Sequence, residues 1–203
     1  MSASVPEVFD VTAHDPAKVA LGQLVVLHQG SWTEADYDAL PEGVRVELHD
    51  GRLILTPDPT SEHQYAASEL IFQLRAAIGN KRLVFGPVDV RMADGNRFRS
   101  PDVVVVRTPY RGRPADPANV RMVCEIVSPG GGDEYDQKMV VYAEAGIPWY
   151  LILRETPAGF IAELYALDEE SGKYQQHSSA EPAGVLDLPA PFHGALVLRD
   201  LSL

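Results

Sequence analysis

Ser100-Pro101-Asp102-Val103-Val104-Val105-Val106-Arg107 and, beyond a proline-rich link over 108–118, Val120-Arg121-Met122-Val123-Cys124-Glu125-Ile126-Val127-Ser128 decide how this chain folds. Four consecutive valines with no polar interruption suit a central strand covered on both faces, and the second run reads as another apolar strand. Each run carries one acid that does not match its surroundings. Asp102 opens the valine run, and Glu125 sits in the middle of Val123–Val127. A carboxylate in so apolar a strand is costly to bury unless it is paired or binds a metal ion. Asp102 is therefore either a strand-start residue or a ligand, and Glu125 is either one half of a buried ion pair or a ligand.

Outward from this pair, the upstream segments alternate between strand and helix patterns. Leu83 to Met92 reads as a strand that leads into a turn at Ala93 to Asn96. Before it, Thr60 or Ser61 can cap a helix on which Ala67, Leu70, Ile71, Leu74 and Ile78 recur at helical spacing until Gly79-Asn80. Val44 to His49 and Arg52 to Thr56 flank Asp50-Gly51, the dipeptide that favours a type I′ hairpin turn, so Glu47 rides on a strand. Ser31 with Glu34 reads as a capping box for a short helix that ends at Pro41 and Gly43.

Downstream, glycines 130–132 lead into a helix from about Asp133 to Ala145, closed by Gly146 with Pro148 beyond. Trp149 to Leu153 is a further strand. Phe160 to Leu167 and Lys173 to His177 form a hairpin around Ser171-Gly172, and a last apolar segment runs from Ala195 to Leu203. The order strands, helix, strands, helix, strand predicts an α/β (α+β) domain: a mixed sheet flanked by helices, with extra hairpin strands from the C-terminal tail. Residues 1–30 read as an N-terminal extension and 31–203 as one domain. Its motif core spans about 44–154 and its C-terminal β extension 155–203.

Composition narrows the function classes. A chain of 203 residues that is 45% apolar can bury a full core. It has no run of the roughly 18 apolar residues a membrane helix needs, so a soluble, cytoplasmic protein is expected. Cys124 is the lone cysteine, which rules out an intrachain disulfide and points to a buried thiol. The formal charge of −12 opposes broad attraction to nucleic acid, although Arg91, Arg97, Arg99, Arg107, Arg111, Arg113 and Arg121 crowd one third of the chain. The crowding reads either as a local basic face on an acidic protein or as a merely solvated surface. There is no phosphate-binding glycine loop and no zinc-ligand spacing.

The motifs Ser-Pro-Asp-(Val)4, Cys124-Glu125-Ile126-Val127-Ser128-Pro129 and Lys138 to Tyr150 (KMVVYAEAGIPWY) resemble the Uma-two family of restriction endonucleases, within the PD-(D/E)XK nuclease superfamily. Val46 to Gly51 and Pro59 to His63 are similar to that family's opening motif. The likeness spans roughly 32–154. It implies a restriction-endonuclease-like fold and metal-dependent cleavage of DNA, with Asp102, Glu125 and Glu47 gathering Mg2+ or Mn2+. The superfamily's lysine, two residues after the second acid, is replaced here by Val127, and the resemblance moves its role to Lys138 on the following helix. Asp133, Glu134 and Asp136 stand near the position where the family often has an aspartate. His63 matches a common histidine, with contact to the scissile phosphate, support of Glu47 or a helix-start role all open; His63 and Arg99 are the candidates for contact with substrate.

Three readings follow. The first is a Mg2+-dependent endonuclease acting on DNA, with a homodimer suited to cutting both strands. The second is a catalytically silent binding or scaffold protein on the nuclease fold. The third is a metal-dependent hydrolase of another substrate, since a carboxylate cluster does not name what is cleaved.

Overall fold

The computed structural model describes residues 28–41, 45–55, 58–78, 82–92, 97–112, 114–129 and 133–203, together with positions 22, 25 and 27. Expectations for the rest of the N-terminal extension, Gly43, Gly79-Asn80, the 93–96 turn and the 130–132 glycines lie outside these residues.

The centre is a six-stranded sheet in the order β10-β9-β8-β7-β6-β3. β6 (Val103–Arg107) lies antiparallel between β3 (Arg82–Phe85) and β7 (Val120–Val127). β7 runs parallel to β8 (Trp149–Thr156), and β9 (Gly159–Asp168) and β10 (Lys173–Ala180) extend the sheet as antiparallel strands. Parallel neighbours need a crossover, and helix α3 (Asp133–Glu144) supplies it between β7 and β8. All four valines of β6 are fully buried.

Alternation along these strands divides the core into two layers. Val103, Val105, Met122, Cys124, Ile126, Leu151 and Leu153 pack with Ala66, Leu70, Leu74, Ala77 and Ile78 of α2 (Ser61–Ile78). Val104, Val106, Val123, Val127, Tyr150 and Ile152 pack with Val141 and Tyr142 of α3.

A four-stranded sheet, ordered β2-β1-β5-β4, stands beside the larger one. Its hairpin pairs β1 (Val46–His49) with β2 (Arg52–Leu55), and Asp50 and Gly51 both take positive φ, as a type I′ turn requires. Gly51 is also needed for space, because a Cβ there would lie 2.7 Å from that of Ser31. Helix α1 (Glu34–Asp38) covers this sheet through Tyr37, which is stacked on Phe98.

Three local expectations are corrected. The box that caps α1 is Thr33 with Asp36, not Ser31 with Glu34; Thr33 accepts from Asp36 N–H while Asp36 accepts from Thr33 N–H. Glu34 is thereby released to pair with Arg91. The segment Leu83 to Met92 is two strands rather than one: β3 joins the large sheet, and β4 (Val90–Arg91) joins the small one. Gly86-Pro87 lies between them, and proline cannot donate to a ladder. The third concerns strands that were not expected, β5 (Phe98–Arg99) and β11 (Val185–Leu188). β11 pairs with β12 (Gly194–Val197), which is tied to α2 because the Gln73 side chain exchanges hydrogen bonds of 2.7 and 3.2 Å with the Val197 backbone. No helix among the described residues is long and apolar enough to cross a membrane.

Candidate active site

Five charged residues are buried among those described: Glu47, Asp89, Arg99, Glu125 and Lys138. All but Asp89 belong to one cluster, built where the small sheet meets the α3 face of the large one.

Glu125 alternates with Val123 and Val127 and so points toward α3, whereas Cys124 points into the α2 layer. On α3, Lys138 and Tyr142 are four residues apart and share a face. Lys138 Nζ lies 3.1 Å from Glu125 Oε2, and the Tyr142 hydroxyl donates to Glu125 Oε1 at 2.6 Å. Each carboxylate oxygen therefore has its own donor. Burial still pushes the Glu125 carboxyl up to about 7, with the Lys138 charge opposing the shift and Asp102 and Glu47 adding to it.

Glu47 reaches the cluster from β1. Its Oε1 is 3.8 Å from Lys138 Nζ, so one ammonium stands between two buried carboxylates. The same oxygen accepts from Ser100 N–H at 3.2 Å, and Oε2 lies 3.4 Å from Arg99 Nη1. Arg99, a candidate for contact with substrate, is buried and directed at Glu47 and at the Leu48 and Phe98 carbonyls. As placed, it supports a carboxylate and does not present its guanidinium to solvent.

Asp102 occupies the more open edge. Its Oδ2 accepts from Ile126 N–H at 2.8 Å and lies 3.2 Å from His63 Nε2, with both side chains 14% exposed. His63 is carried by the first turn of α2, where its N–H donates to Thr60 Oγ1 at 3.2 Å. The Asp102 hydrogen bond raises the pKa of His63, against the effect of burial. The structure thus brings His63 to Asp102 and not to Glu47. The side chains of Asp133, Glu134 and Asp136 lie outside the described residues.

With Glu47, Asp102 and Glu125 ionised against Arg99 and Lys138, the cluster carries three negative and two positive charges when His63 is neutral. Among the described residues, no group of three or more His, Cys, Asp or Glu side chains is disposed to hold a metal ion by itself. Mg2+ does not need one, since it commonly takes one or two carboxylates and completes its shell with water and phosphate oxygens. Hard oxygen donors and a buried carboxyl pushed up to about 7 fit such a cation at Asp102 and Glu125. The Val127 position, where the superfamily has its lysine, is filled by core packing, and Lys138 brings an ammonium to Glu125 from the helix.

Two contributors escape a reading of the sequence. Tyr142 could have been found from its spacing of four from Lys138 in KMVVYAEAGIPWY, whereas nothing in Ser100 itself signals that its backbone N–H would hold Glu47.

A family model described as "Putative restriction endonuclease" matches residues 34–201. Among solved structures, a putative nuclease belonging to DUF820 from Anabaena variabilis ATCC 29413 is similar at 18% identity and a TM-score of 0.61. That match covers 83% of this chain and 96% of the other, and it shows a shared fold. Comparison with curated proteins finds no match. A match over most of the length, together with the shared fold, places this chain in the Uma2 family.

Proposed function

We propose that the protein is a nuclease hydrolysing DNA phosphodiester bonds with a divalent cation, Mg2+ or Mn2+, held by Asp102 and Glu125 with Glu47 behind them. The observation that carries this reading is the buried row Glu47, Lys138, Glu125, with the more open Asp102 within electrostatic range of Glu125. So much charge inside an apolar layer opposes folding and points to chemistry as its reason. When bound, the cation supplies Lewis-acid polarisation of a phosphate oxygen and a more acidic water.

The protein's own groups do the rest. Asp102 is oriented by Ile126 N–H and His63, leaving it one edge toward a ligand. Lys138 places a positive charge next to Glu125, where it offsets the charge that develops on the phosphate and orients the attacking water. Arg99 and Ser100 N–H fix Glu47 from behind. Action in the cytoplasm and on both strands through a homodimer belong to the same proposal.

One observation favours a second reading, a silent nuclease fold used for binding. Lys138 already bridges the two buried carboxylates, and Arg99 adds to it at Glu47, so Glu47 and Glu125 are paired without a metal ion. Incubating the protein with plasmid, single-stranded DNA and RNA, with Mg2+, Mn2+ or chelator, separates the two. The nuclease reading expects cation-dependent DNA cleavage that Asp102→Ala abolishes, together with a calorimetric Mn2+ site that the same change removes. DNA left intact under every condition, with Mn2+ binding unchanged in the variant, would promote the silent fold.

A further inference from the structure

The arginines crowded into the middle of the sequence separate into two kinds in the fold. Arg91 pairs with Glu34, Arg97 with Asp50 and Glu144, and Arg99 with Glu47. Among the described residues, Arg107 and Arg121 have no carboxylate partner, and Arg82 joins them in this. Arg82 and Arg107 are direct cross-strand partners on β3 and β6. Like charges placed opposite each other in a sheet are destabilising, so the arrangement runs against the fold's own interest.

Arg121 completes the group through an irregularity in β7. Val105 pairs with Met122 and Val106 with Val120, so Arg121 is the unopposed residue of a β-bulge, a feature that re-aims a side chain. Its Nε is buried with no hydrogen-bond partner among the described residues, while Nη2 donates to Ala118 O at 3.1 Å. Asp116, the carboxylate of the adjoining turn, is already occupied by Ala118 N–H at 2.8 Å. Arg82 is held with its guanidinium carbon 5.7 Å from the centre of the Phe192 ring. Burial and the charges of Arg107 and Arg82 lower the pKa of Arg121, which places all three cations within mutual electrostatic range.

We propose that Arg82, Arg107 and Arg121 form a phosphate-binding site separate from the carboxylate cluster, and that its ligand is the phosphate backbone of a nucleic acid. Three guanidiniums without carboxylate partners among the described residues, in a chain of formal charge −12, are a local exception that a polyanion would complement. Arg121 is four residues from Glu125 along β7, roughly 13 Å at strand rise, so the site contacts nucleic acid away from the point of chemistry. The proposal needs no cleavage and stands whether or not the carboxylate cluster is active.

The test is fluorescence anisotropy of a labelled DNA duplex in chelator, with pyrophosphate as the free-phosphate probe, on the intact chain and on Arg107→Glu and Arg121→Gln. Both changes should weaken DNA binding about tenfold or more at low salt. Each should also reduce the salt dependence by about 0.9 in the log–log slope for every phosphate that is no longer neutralised. Arg107→Glu should at the same time raise the thermal midpoint by about 1–3 °C, since it turns a like-charged cross-strand pair into an opposite one. Higher stability with weaker binding is the signature expected of a site. DNA affinity and salt slope unchanged in both variants would overturn the proposal. Loss of pyrophosphate binding alone, with DNA binding unchanged, would overturn the nucleic-acid ligand.

Discussion

The two faces of the large sheet are made by alternate residues of the same strands, yet they are built on opposite principles. On the α2 face, Met122, Cys124 and Ile126 meet Leu70, Leu74 and Ile78 in a wholly apolar layer. On the α3 face, Val123 and Val127 flank Glu125, which is tied to Lys138 and Tyr142 in an otherwise similar layer. Apolar packing stabilises in proportion to the area it removes from water. Buried ion pairs at best offset their own desolvation. The first face therefore holds the domain together, and the second uses part of that stability to keep charges where water would otherwise screen them.

The comparison can be broken most severely at Lys138. Lys138→Met removes the ammonium that stands 3.1 Å from Glu125 and 3.8 Å from Glu47, leaving both carboxylates without it. Breaking a buried pair in this way costs about 3–5 kcal/mol at neutral pH. The pH dependence follows from the direction of the Glu125 shift. Its folded carboxyl is raised to about 7, so the folded state holds the proton more tightly than the unfolded chain does. Stability from this group is greatest below the unfolded value near 4.5, falls as pH climbs toward 7 and is level above. Without Lys138 the fall extends to higher pH. Urea titrations in chelator should show a small deficit for the variant at pH 5 and the full deficit at pH 8. A deficit equal at both would mean that Glu125 is not the group left uncompensated. If the cluster is a nuclease site, cleavage drops by about 10²-fold or more beyond any loss of folded protein.

The opposite face should respond in stability alone. Leu74 is fully buried on α2, and Leu74→Ala should cost about 3 kcal/mol through lost transfer energy and a residual cavity. Under conditions where the variant is still folded, Mn2+ affinity and cleavage per folded molecule should match the parent. Denaturant unfolding and metal titration of the same samples would check both halves. A Leu74→Ala protein that is folded but defective in metal binding would show that the two layers are coupled through the sheet.

What could be read in advance follows the same division. The four valines of β6, the α2 stripe and the Asp50-Gly51 turn were legible because burial on two faces, helical periodicity and positive φ each restrict residue type strongly. Thr33 and Asp36 are not singled out by the sequence because Ser31 and Glu34 satisfy the capping pattern equally well; the choice depends on the tertiary hydrogen bond that Trp32 N–H donates to the Gly51 carbonyl. β4 and β5 are two residues each, too short to show any period. In the cluster, Glu125 and Lys138 could be singled out as a charge in an apolar strand and as the lysine of the family-like motif. The inward turn of Arg99 toward Glu47 could not, because a strand-end arginine reads the same whether it faces solvent or a carboxylate from another strand.

The smallest effect gives the sharpest contrast, because it concerns neighbours in the chain. Cys124 and Glu125 are adjacent on β7 and both buried, but one enters the α2 layer and the other the α3 layer. Burial, reinforced by the charges of Glu125 and Asp102, raises the thiol pKa well above its ordinary value, so the thiolate that would react is scarcely formed. Cys124 should resist thiol-directed reagents in the folded protein and react fully once denaturant unfolds it. Cys124→Ala trims one atom from a layer rich in larger side chains, and its cost should be about 1 kcal/mol. Cleavage and Mn2+ binding should be unchanged, because the Cys124 side chain faces away from the carboxylate cluster. Rapid labelling of the native thiol would mean that the α2 layer opens readily. A loss of metal affinity in Cys124→Ala would mean that the strand itself, and not only the α3 face, sets the position of Glu125.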